Sequence, residues 1–77
     1  MEIKILGTGC PKCRKVYENA MKAIEELGVD SEVEKVEDID KIISFGVMMT
    51  PAVVINGEVK VSGRIPSIEE IKRWVQE

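Results

Sequence analysis

Histidine is absent from the 77 residues. That removes the commonest metal ligand and the commonest general base at neutral pH. Aromatic residues are scarce, with one Trp, one Tyr and one Phe. No run of basic residues offsets the net charge of −3. The chain therefore lacks the cationic and aromatic surface that nucleic acid or an anionic membrane would need, and neither is expected as a partner. No apolar stretch approaches the roughly 20 residues that span a bilayer. The amino-terminus shows no charged start, apolar stretch and small-residue cleavage site of a signal peptide, so a cytoplasmic location is expected. Internal repeats, low-complexity tracts and linkers are also missing.

Cysteine is nearly absent too, but the two that occur, Cys10 and Cys13, stand three residues apart. A bridge between them would close a tiny loop and constrain the unfolded chain little, so a structural staple is a poor explanation. In a reducing compartment such a pair is more often catalytic or metal-binding. The rest of the composition is that of a globular protein, 44% apolar and 32% charged. A chain of this length makes one domain, residues 1–77, with room for one sheet and about three helices.

The cysteines lie in Gly7-Thr8-Gly9-Cys10-Pro11-Lys12-Cys13, directly after the apolar run Ile3-Lys4-Ile5-Leu6. The pattern reads as a strand, a glycine turn and a helix. Pro11 suits the first helical position, where its missing N–H leaves no bond unmade. Cys10 is then the cap residue, with its sulfur beside the free N–H groups at the positive helix end, which favours the thiolate. Lys12 lies between the sulfurs in sequence, and Arg14 and Lys15 add positive charge. Val16, Tyr17, Ala20, Ile24 and Leu27 follow Cys13 at the spacing of one apolar helix face. Cys13 therefore begins the inward stripe while Cys10 stays at the tip. The pair reads as a redox-active dithiol in which Cys10 attacks and Cys13 resolves.

Strands are expected over residues 2–6, 32–36, 52–55 and 58–62, and the first helix over 11–27. Asp38 can cap a short helix in which Ile39, Ile42 and Ile43 share a face, and Gly46 can end it. Asn56-Gly57 is the strongest short signal for a two-residue hairpin turn, and the returning strand should turn Val59 and Val61 inward. Ser67 and Glu70 form a capping box before a last helix with Ile68, Ile71 and Val75 inside and Trp74 at the border. The order is β-α-β-α-β-β-α. A right-handed crossover makes the first two strands parallel. Apolar content places the first and third strands centrally, giving an α/β fold with a four-stranded mixed sheet and helices on both faces.

Thr50-Pro51 stands just before the third strand, and proline cannot donate within a central ladder, so it must mark the strand's beginning. Read from the residues alone, Pro51 simply starts a strand in trans. Combined with the strand-turn-Cys-Pro-X-Cys-helix unit, it resembles the thioredoxin superfamily, and within it the small glutaredoxin-like redox-active disulfide proteins. The similarity covers essentially the whole chain. It implies a minimal thioredoxin-like fold, a cis Pro51 facing the cysteine pair, and a Thr50 backbone that pairs with an extended substrate segment. It also implies partner proteins carrying disulfides and a thioredoxin-reductase-type flavoprotein as electron donor. Exchange of this kind calls for no bound cofactor, and none is expected, nor is an oligomer.

Several positions depart from the family pattern. Gly9 stands where thioredoxins usually carry Trp, and the Pro11-Lys12 order is nearer to glutaredoxins. No buried acid near Cys13 is evident. The segment Gly63-Arg64-Ile65-Pro66-Ser67 replaces the loop with which glutaredoxins hold glutathione, and Arg64 reads as a surface residue. The alternative to exchange is a soft-metal carrier of copper or mercury, since two thiolates suit a soft monovalent ion. Such carriers end in a strand rather than a helix and have no need of Thr50-Pro51. Met48 and Met49 could look like soft ligands, but packing of the loop before Pro51 is the expected role.

Overall fold

The computed structural model describes residues 2–9 and 11–77. The strands are β1 (Glu2–Leu6), β2 (Glu32–Val36), β3 (Ala52–Ile55) and β4 (Glu58–Ser62), and the helices are α1 (Pro11–Leu27), α2 (Ile39–Ser44) and α3 (Ile68–Gln76). They follow the expected order. The sheet runs β2-β1-β3-β4, with β1 parallel to β2 and antiparallel to β3, and β3 antiparallel to β4. The most apolar strands are central because each of their faces meets a helix layer. On one face Ile3, Ile5, Val53 and Ile55 pack against Val16, Ala20 and Ala23 of α1 and Ile71 and Val75 of α3. On the other, Leu6, Val36, Ala52 and Val54 pack against Ile42 and Val47. Each fully buried aliphatic side chain here contributes on the order of 1.5–3 kcal/mol.

Local chemistry sets the ends of these elements. The Asp38 side chain accepts a bond from the Asp40 N–H at 2.9 Å, capping α2. Ser67 and Glu70 close the capping box reciprocally: the Glu70 N–H donates to Ser67 Oγ at 3.1 Å and the Ser67 N–H to Glu70 Oε1 at 3.0 Å. Asn56 and Gly57 adopt positive φ, 51° and 83°, the conformation the β3–β4 hairpin turn requires. The chain ends in α3, where the order of a soft-metal carrier would place a strand.

Ile39, Ile42 and Ile43 share one face of α2, as expected, and line one hollow, although only Ile42 is buried and Ile39 and Ile43 are 60% and 61% exposed. Two expectations about side chains are corrected. In β4, Val61 pairs with Val53 but Val59 pairs with Val54, so Lys60 is the extra residue of a bulge. The bulge breaks the alternation, and Val59 is left exposed instead of facing inward with Val61. Met48 does not pack the loop before Pro51 and is 96% exposed. Met49 is also exposed, although its side chain reaches Gly63, where an added Cβ would lie 3.3 Å from its Cβ and Cε.

Candidate active site

Parallel β1 and β2 end side by side, at Leu6 and Val36. The Gly7 N–H donates to the Val36 carbonyl at 3.0 Å, pinning the turn that leaves β1 to the end of β2. Gly9 in this turn has φ +86°, a conformation costly to residues with a Cβ. A Cβ there would also sit 3.0 Å from Glu37 Oε2. Gly7 serves differently. A Cβ at Gly7 would overlap Cys13 Sγ, lie 3.0 Å from Cys13 Cβ and come 3.9 Å from Thr50 Cβ. The bare Gly7 backbone is thus the surface on which Cys13 rests, with Thr50 beside it.

Cys13 lies in the first turn of α1 and is 6% exposed. It lines a cleft of about 170 Å3 with Ile5, Gly7, Gly9, Arg14, Lys35 and Glu37. Lys35 Nζ stands 4.4 Å over the centroid of the Tyr17 ring, a cation–π contact that ties the end of β2 to α1. The carboxylate of the cleft, Glu37, is exposed. Pro11 and Lys12 occupy the first two helical positions, both exposed. Cys10 falls outside the described residues.

The Thr50–Pro51 peptide bond is cis, as the resemblance implies. Pro51 is fully buried and Thr50 exposed. The Gly63 N–H donates to the Pro51 carbonyl at 2.9 Å, fixing the start of β3 to the end of β4. The structure therefore brings Cys13, Gly7 and Thr50 together. Behind them, buried Asn19 donates from Nδ2 to the Pro66 carbonyl at 3.0 Å and anchors the loop before α3 to α1. Arg64 is exposed and engaged. Its guanidinium donates to both carboxylate oxygens of Glu70, at 3.0 and 2.7 Å, and these bonds hold the Glu70 carboxyl down to about 2.

Sequence reasoning missed the packing role of Gly7 and the placement of Lys35 and Glu37 in the cleft. A usable signal was present. In α/β sheets the crevice beyond the carboxyl ends of parallel strands is where ligands meet, and Lys35 and Glu37 stand at such an end.

Comparison with known proteins supplies the family. A family model described as Thioredoxin domain matches residues 1–76. A protein named Thioredoxin from Methanocaldococcus jannaschii is 51% identical over 70 residues, 91% of this chain and 80% of that one. Another of the same name, from Methanothermobacter thermautotrophicus, is 44% identical over 73 residues, 95% of each chain. Fold and sequence similarity agree, and the chain belongs to the thioredoxin domain family.

Proposed function

We propose that in this thiol–disulfide oxidoreductase Cys10 is the attacking sulfur and Cys13 the resolving one. The Cys10 thiolate attacks one sulfur of a partner protein's disulfide, forming a mixed disulfide and expelling the partner's other sulfur as thiolate. The Cys13 thiolate then attacks Cys10 Sγ. This step forms the Cys10–Cys13 bond and releases the second partner thiol. The partner gains two electrons and the cysteine pair loses them. One observation carries the assignment of roles: Cys13 is buried against Gly7 at the first turn of α1, whereas a first attacker must reach a disulfide held on another protein. Pro11 at the first helical position and the cation of Lys12 support the thiolate. Thr50, exposed beside Gly7, offers its backbone to the partner's extended segment, and buried Pro51 holds it at the start of β3.

A thioredoxin-reductase-type flavoprotein returns the two electrons. The engagement of Arg64 with Glu70 supports that donor over an anionic thiol bound at this loop. The chain acts as a cytoplasmic monomer without a bound cofactor, and the soft-metal alternative finds no support in an order that ends in a helix. Trapping tests the roles. With a disulfide-bonded substrate such as insulin, Cys13→Ser should accumulate a covalent mixed disulfide through Cys10, and Cys10→Ser should lose turnover. Turnover that persists in Cys10→Ser would refute the assignment.

A further inference from the structure

Glu37 is the first residue after β2, and its carboxylate reaches over the turn that leads into α1. Its Oε2 stands 3.0 Å from where a Cβ on Gly9 would be, so bare Gly9 is what admits it. Gly9 directly precedes Cys10 in the chain, and Glu37 lines the same cleft as Cys13. The other charged residues of that cleft are cations, Arg14 from α1 and Lys35 from β2, while Gly7 and Gly9 of the turn carry no charge. Neither cation neutralises Glu37. No ion pair among the described residues includes this carboxylate, and Lys35 lies over the Tyr17 ring instead. The next residue, Asp38, caps α2, whereas no hydrogen bond among the described residues accounts for the position of Glu37.

We propose that Glu37 sets the redox poise of the cysteine pair, favouring the disulfide and so making the reduced protein the stronger electron donor. The proposal rests on the exchange reading given above and adds to it a residue that acts on the sulfurs through its charge. Two electrons open the Cys10–Cys13 bond, and with the attacking sulfur ionised only one proton is taken up. The reduced pair therefore carries one negative charge that the disulfide lacks. A nearby carboxylate repels that charge and leaves the neutral disulfide untouched, which shifts the equilibrium toward the disulfide. Arg14 and Lys35 act in the opposite sense. Because Glu37 is exposed, water and salt weaken its field, and the shift is a few-fold.

The test equilibrates the protein with mixtures of reduced and oxidised dithiothreitol at pH 8 and reads the dithiol fraction by alkylation and mass spectrometry. The equilibrium constant toward the dithiol should be about threefold higher in Glu37→Gln than in wild type, which is about 14 mV at about 30 mV per tenfold. Glu37→Asp keeps the charge and should stay within about 1.5-fold of wild type, and Arg14→Gln should move the constant the other way. In 1 M sodium chloride, where the screening length falls to about 3 Å, the gap between wild type and Glu37→Gln should close to within about 1.5-fold. A purely structural role would not respond to salt in this way. An unchanged constant in Glu37→Gln, an equal shift in Glu37→Asp, a shift of Arg14→Gln in the same direction as Glu37→Gln, or a gap that ignores salt would overturn the proposal. Failure of the wild-type protein to reduce the small disulfide 5,5′-dithiobis(2-nitrobenzoate) would instead count against the exchange reading itself.

Discussion

A methyl group added at Gly7 has nowhere to go, because Cys13 Sγ already occupies its place and Cys13 Cβ lies 3.0 Å from it. Gly7→Ala should therefore push Cys13 off its seat or part the end of β1 from the helix. Overpacking of this kind costs about 1–3 kcal/mol. Urea unfolding should register that loss, and the resolution step should slow relative to the first attack. Unfolding and resolution identical to wild type would show that Cys13 does not rest on Gly7. The need for glycine here was only half legible. Gly7-Thr8-Gly9 reads as a turn, and Gly9, with its positive φ, is a turn glycine. Gly7 is required by a side chain six residues away, which no local rule reveals. Asn19 is similar. It sits three residues after Val16 on the inner face, and its burial makes sense only once the Pro66 carbonyl is seen opposite it.

Elements were the most legible level. Every strand and helix expected from apolar periodicity is present, since local rules such as capping and turn chemistry act within a few residues. What stayed hidden depends on partners elsewhere in the fold. The bulge at Lys60 is a shift of register between β4 and β3, and of the isoleucines of α2 only Ile42 reaches the core. The start of α3 offers a test at this scale. Bonds from Arg64 foremost, and from the Ser67 backbone, lower the Glu70 carboxyl from 4.5 to about 2. A carboxyl lowered in the folded state adds stability above its unfolded value, and that contribution disappears as pH falls from about 4.5 through about 2. Glu70→Gln should accordingly melt lower than wild type at pH 7, and the gap should close by pH 2. The pair is exposed to solvent, so the difference is small. Thermal melts across pH 2–7 that stay parallel would contradict it.

On the scale of the whole molecule, the sheet order gathers the site. Parallel β1 and β2 deliver Gly7 and Glu37 to one edge, and antiparallel β3 begins at that same edge with Thr50-Pro51 before it. Segments more than 40 residues apart in the chain thereby meet around Cys13. This convergence was readable from the order of elements and the right-handed crossover, because the central strands were the most apolar.

Cysteine alkylation followed against pH tests the division of labour between the two sulfurs most directly. The fully reduced protein is treated with iodoacetamide and each modified cysteine is located by mass spectrometry. Cys10 should be modified first, with a rate midpoint below the roughly 8.5 of ordinary cysteine, while Cys13 reacts slowly until the protein unfolds. Modification of Cys13 first, or equal reaction of both with the midpoint of ordinary cysteine, would contradict an exposed attacking thiolate backed by a buried resolving one.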